Sequence, residues 1–188
     1  CASCSEDWLD LNPSTSVPTD QAFNTLEDAQ SALNGIYRLA SAHSYYGDNY
    51  FYYGDCRASD VQARESKGDG RRVSPYYEYN VKASDSFNST LPWNQVYKVI
   101  RQCNNLITHV EAGDVQTTDE TSLKRIKAEA LAMRGLALYD LTRVFAMPYS
   151  SGNGSAPGVP IVTTALDETA QPARSTVCLL YTSPSPRD

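Results

Sequence analysis

The sequence predicts an all-α chain of tetratricopeptide-like helical pairs interrupted by one long irregular excursion. Three observations carry that fold class. Three stretches repeat apolar residues at spacings of three and four, the pattern of a helix with one buried face. The last of them keeps a second side small, as arrays of paired helices require where backbones approach closely. Between the first two lies a stretch of glycines and tyrosines with no such period.

Taken in order, the chain opens with a tether. Residues 5–22 carry Pro13, Pro18 and the run Ser14, Thr15 and Ser16, which together disfavour a helix. The first helix starts near Asn24 or Thr25, where Thr25 and Asp28 have the spacing of a capping box, and runs to about Ala42. Leu26, Ala29, Leu33, Ile36, Tyr37 and Ala40 form its stripe. Residues 44–90 hold Gly47, Gly54, Gly68, Gly70 and Pro75 among the tyrosines and read as a long ordered excursion, a class of loop that is usually functional. The second helix begins at Pro92, whose missing amide proton costs nothing in a first turn, and ends near Gly113. Trp93, Val96, Tyr97, Ile100, Cys103 and Ile107 mark its buried side.

The third helix spans about Thr121 to Phe145, with Leu123, Ile126, Ala130, Met133, Ala137, Leu141 and Val144 on one stripe and Ala128, Ala132 and Gly135 on the small side. A glycine-rich link after Pro148 leads to an extended segment, Gly158 to Val162, expected to lie against the helices. Another helix starts at Ser175, Thr176 and Val177. Residues 178–188 share no period with what precedes and read like translated sequencing adaptor, so the helical domain is bounded at 23–177. That domain holds too few helical pairs to complete a stack.

Composition excludes several classes. A 41% hydrophobic content suffices for a core, and no apolar run is long enough for a spanning helix. The net charge of −6 and the shortness of the basic cluster Arg71 and Arg72 argue against nucleic acid as a partner. His43 and His109 are far apart, have no metal-type spacing, and are expected on solvated helix faces; no cofactor is expected. No nucleophile elbow or phosphate-cradling loop occurs, and nothing singles out a catalytic carboxylate pair. Cys56 and Cys103 have no obligatory partnership and read as free thiols.

At the amino terminus Ala2, Ser3 and Cys4 resemble a lipobox, with Cys1 the trace of a signal peptide and Cys4 the lipid-bearing residue. Further along come Trp8, Leu9 and Asp10; Trp93, Tyr97, Ile100 and Asn104; and then Glu129, Arg134, Tyr139, Arg143 and Phe145. With Gly158 to Val162 and Arg174 to Val177, this order and spacing resembles the amino-terminal part of SusD/RagB-like proteins across residues 4–177. Ser5, Glu6 and Asp7 are similar to the acidic export signal of Bacteroidetes surface lipoproteins. The resemblance implies a truncated SusD-like fold in a non-catalytic lipoprotein on the outer face of the outer membrane. Such a protein captures oligosaccharide and passes it to a TonB-dependent, SusC-like transporter; RagB-like members take peptides instead. A scaffold that binds only proteins is the other reading of the helical repeat. Asn104 and Arg134 recur in the family pattern as structural polar contacts.

Sugar rings stack on aromatic faces, and their hydroxyls need amides, carboxylates or arginine forks. Tyr45, Tyr46, Tyr50, Tyr52 and Tyr53 precede Asp55, Arg57 and Asp60, with Tyr76, Tyr77 and Tyr79 beyond. Tyr50, Tyr52, Tyr53, Asp55, Arg57 and Asp60 are therefore candidate ligand residues, although the same tyrosines fit a satellite core packed over the helices. Trp93 with Asn94 offers a second platform at a helix start, and its place on the apolar stripe fits packing equally well.

Overall fold

The structure, a computed structural model, describes residues 23–58, 74–80, 92–164, 166 and 169–182. The tether at 5–22, the anchor residue Cys4 and the candidate Asp60 lie outside them. Six α-helices occur among the described residues: α1 (Leu26–Ala40), α2 (Asn49–Asp55), α3 (Ser74–Tyr77), α4 (Pro92–Ala112), α5 (Glu120–Phe145) and α6 (Val177–Thr182). Among the described residues the extended pairings are two isolated bridges. None of these helices is long and apolar enough to cross a membrane.

Local chemistry fixes the ends of the long helices. The Thr25 amide donates to Asp28 Oδ2 at 2.9 Å and the Asp28 amide to Thr25 Oγ1 at 3.2 Å, so the capping box forms and satisfies two donors of the first turn. The Thr25 hydroxyl and amide also hold the Asp28 carboxyl below its ordinary pKa. Asp119 caps α5, accepting from the Ser122 amide at 3.0 Å. α4 stops at Gly113, whose φ of +78° suits a residue without a Cβ.

The main core lies where α1, α4 and α5 pack together. Ala29, Leu33, Ile36 and Ala40 enter it from α1, as the stripe predicts, but Tyr37 does not. Tyr37 sits 100° around the helix from Ile36 and is exposed, its hydroxyl donating to Glu129 Oε2 on α5 at 2.8 Å. α4 buries a wider arc than its stripe, adding Val99, Asn104 and Leu106, because helices cover one side and residues 159–164 another. On α5 Met133 and Val144 are only half-buried, and the small side of Ala128, Ala132 and Gly135 faces outward. No described helix packs there.

Two predicted regions differ. The excursion is not irregular throughout: a π-helical turn, His43–Gly47, leads into α2, and α3 follows. α2 has no buried residue of its own and is held by partners on other elements. The fold also continues past residue 177. The Cys178 amide donates to the Gly154 carbonyl at 2.8 Å, Leu180 packs against the core, and α6 reaches Thr182. His109 is not on a freely solvated face either. Its ring stacks on Phe23 at 4.3 Å and its Nδ1 lies 2.7 Å from Asp114, whereas His43 is exposed beside Asp48 at 2.8 Å.

Candidate functional site

A buried carboxylate organises the tyrosines. Asp140 on α5 is enclosed, and three hydroxyls donate to it: Tyr45 to Oδ2 at 2.6 Å, Tyr46 to the same oxygen, and Tyr50 to Oδ1 at 2.7 Å. Tyr45 and Tyr46 stack at 4.2 Å, and Tyr50 meets both edge-on. Burial first, and then the hydroxyl's bond to Asp140, raises all three phenols, Tyr46 to about 12 and the others beyond. They are donors throughout the physiological range. Charge-assisted bonds of this kind offset the cost of enclosing the carboxylate.

The result is to fasten the π-helical turn and α2 onto α5 and to fix where the rest of α2 projects. Tyr50 is thereby turned inward, which makes it a packing residue rather than a free platform. Tyr52 packs, half-buried, against the small cluster of Cys56 and Tyr76. Asp55 is exposed at the end of α2.

Tyr53 packs on the same cluster, 5.5 Å from the Tyr76 ring, and also reaches a second set of rings. Its ring lies 6.4 Å from Phe145, which meets Trp93 edge-on at 5.0 Å; Trp93 in turn lies 5.0 Å from Tyr97. A guanidinium stands over each outer part of this band, Arg57 at 4.6 Å from the Tyr53 ring and Arg174 at 5.7 Å from the Trp93 ring. The structure thus brings together Tyr53, Arg57 and Trp93, three of the predicted site residues, through Phe145, which the sequence marks as a helix end and a position of the family pattern but not as a site residue. Asn94 is exposed one residue from Trp93, and neighbours one apart on a helix do not share a face.

Beside Trp93 a groove of about 350 Å³ runs between α4 and the returning strand of chain. Trp93, Tyr97, Arg101, Pro160, Val162 and Leu166 are among its walls, and its size falls within the range of ligand sites. Polar straps hold its far wall. The Tyr97 hydroxyl donates to the Pro160 carbonyl at 2.9 Å, and Asn104 Nδ2 to the Val162 and Thr164 carbonyls at 3.0 and 3.2 Å. Arg134 Nη1 donates to Asn104 Oδ1 at 2.9 Å, so the two residues predicted as structural contacts form one buried network. Arg174 donates to the Gly158 carbonyl at 2.9 Å, two residues before Pro160.

Cys56 and Cys103 are both reduced and sit in separate clusters, and burial raises the Cys103 thiol to about 12. No group of His, Cys, Asp and Glu among the described residues could hold a metal ion.

The family model described as starch-binding and associating with outer membrane matches residues 7–183. The chain belongs to the SusD-like family. A SusD superfamily protein of Bacteroides thetaiotaomicron is 66% identical with a TM-score of 0.78, over 84% of this chain and 34% of that one. A second SusD superfamily protein, from Bacteroides vulgatus, is 32% identical with a TM-score of 0.77, over 85% of this chain and 35% of that one. SusD-like protein P2 of Formosa agariphila is 27% identical over 151 residues, 78% of this chain and 28% of that protein. The chain therefore spans about a third of the length of these SusD-like relatives, and it has their all-α fold.

Proposed function

We propose that the whole protein is a lipoprotein of the outer membrane that captures oligosaccharide at the cell surface and delivers it, uncleaved, to a TonB-dependent SusC-like transporter. Membership of a family described as starch-binding and associating with outer membrane supports the coarse reading. The observation that carries it onto this chain is the Trp93 groove. Two aromatic rings line it for the apolar faces of sugars, Arg101 supplies donors for hydroxyls, and Asn104 and Arg134 fix its far wall in advance of any ligand. Cys4 would carry the acyl chains, with residues 5–22 as the spacer that lets the domain stand off the bilayer.

Titration of the whole protein with a set of oligosaccharides tests the reading. Binding is expected for at least one, weakened about tenfold or more by Trp93→Ala, with no shorter products released. Unchanged affinity in that variant removes the groove from the reading, and product release overturns its non-catalytic part. Replacing Cys4 by Ala should move the protein from the membrane to the soluble fraction, and the transporter should co-purify from native membranes.

A further inference from the structure

Arg57 is held in a way that packing alone does not explain. Its guanidinium carbon lies 4.6 Å from the Tyr53 ring centroid and 5.9 Å from that of Tyr79. The Tyr79 hydroxyl donates to the Arg57 carbonyl, tying that ring to this residue. Tyr79 takes up this position at φ +54°, a left-handed conformation that is uncommon for a bulky side chain. Two aromatic faces thus restrain the plane of one guanidinium, and local backbone strain is spent on doing so.

Despite this restraint, the cation meets no anion among the described residues. Arg57 Nε is enclosed and has no hydrogen-bond acceptor, and among the described residues the side chain forms no ion pair, neither with Asp55 two positions before it nor with Glu78 beside Tyr79. An enclosed donor without a partner calls for a specific explanation, the more so on a charged group. Tyrosine rings attract the cation through their faces but offer its planar N–H edge nothing to bond. The residue as a whole is only half-buried, and among the described residues its terminal Nη groups donate no hydrogen bond. Two parallel N–H groups at that edge match the two oxygens of a carboxylate. The residue is joined to the groove through aromatic contacts, Tyr53 to Phe145 and Phe145 to Trp93.

We infer that Arg57 is a subsite for a carboxylate carried by the captured oligosaccharide, so that the ligand is an acidic glycan containing uronic acid rather than a wholly neutral one. This deepens the proposed function and rests on it. A lysine keeps the charge but loses the planar fork, which separates recognition of a carboxylate from general attraction to anions.

The test is titration of the whole protein, and of Arg57→Gln and Arg57→Lys, with two panels: neutral maltooligosaccharides and xylooligosaccharides, and uronic acid oligomers of galacturonate and alginate. Thermal melts of each variant confirm that it is folded. The expected result is binding of a uronic acid oligomer, weakened about tenfold by either variant, while affinity for any neutral oligomer is unchanged. If only neutral oligomers bind, or if acidic ones bind equally well to Arg57→Gln, the carboxylate subsite is wrong and glycan capture stands. If no oligosaccharide of either panel binds and a carboxylate-bearing peptide does, the glycan reading and this subsite fall together.

Discussion

Tyr45 reaches Asp140 across 95 residues of sequence, its hydroxyl donating to Oδ2 at 2.6 Å from a ring that is wholly enclosed. With Tyr46 and Tyr50 on the same carboxylate, this contact fastens α2 to α5 and so orients Tyr53 and Arg57. Asp140→Ala leaves three hydroxyls without an acceptor and is expected to destabilise the whole protein by about 3 kcal/mol. Tyr45→Phe, which removes one bond and keeps the ring, should cost about 1 kcal/mol. Urea unfolding measures both; equal effects from the two variants would show that the carboxylate does not gather the three tyrosines.

The same cluster sets an alkaline limit. Tyr46 is raised to about 12, and Tyr45 and Tyr50 further, from an ordinary value near 10. A raised acid binds its proton more tightly in the folded state, so its contribution is complete below pH of about 10 and is lost as pH climbs through the folded value. Stability is expected to be level below that pH and to fall steeply above it. Absorbance of tyrosinate followed alongside circular dichroism should show these phenols ionising only with unfolding; ionisation near pH 10 in a fully folded protein would contradict the structure.

On the acid side the helix caps act in the opposite sense. Asp28 and Asp119 lie below the ordinary carboxylate value, the first through Thr25 and the second through Ser122. A lowered acid contributes stability above its unfolded value and loses it as pH falls through the folded one. Asp28→Asn should therefore reduce the acid dependence of stability between about pH 4 and pH 2, and an unaltered pH profile would show that the Thr25 box is not formed in solution.

The buried pair Arg134 and Asn104 holds the far wall of the groove. Asn104→Leu removes the bonds to Val162 and Thr164 and leaves Arg134 without its side-chain acceptor, at an expected cost of about 3 kcal/mol. Hydrogen exchange in residues 160–164 should accelerate more than in α1. Uniform acceleration across both would mean that the substitution unfolds the domain rather than releasing the wall.

Made alone, residues 4–177 should bind a hydrophobic dye. Leu136 and Tyr139 on α5 are exposed beside the outward small side of Ala128, Ala132 and Gly135, an apolar helix face with no described partner. A cooperative melt with no dye binding would show that this face is stable in water.

How much was legible depends on the range of the interaction. The ends of α1 and α4 followed from residues within a few positions of each other, Thr25 with Asp28 and Ala112 with Gly113, and the structure keeps those ends within two residues. α2 was not legible. Its tyrosines show no apolar period because α2 buries none of its own residues and is held by the Tyr50 hydroxyl donating to the distant Asp140 carboxylate. Of the candidate residues, Tyr53, Arg57 and Trp93 are linked through ring contacts, whereas Tyr50 donates its hydroxyl to Asp140. Phe145, the ring that joins Tyr53 to Trp93, carried no local signal beyond ending a helix.

By itself the sequence determined the helical class, the three long helices and the faces they bury, and it carried the order of residues that marks the family. Those are properties of neighbouring positions, since caps act over three residues and a buried stripe over one or two turns. Only the tertiary structure decided which tyrosines are donors to Asp140, which ring bridges to Trp93, and that Arg57 lies between Tyr53 and Tyr79 with no ion pair among the described residues. A helical period states the angle at which a side chain leaves its helix. The partner it meets there is set by how elements 22 to 95 residues apart come to pack.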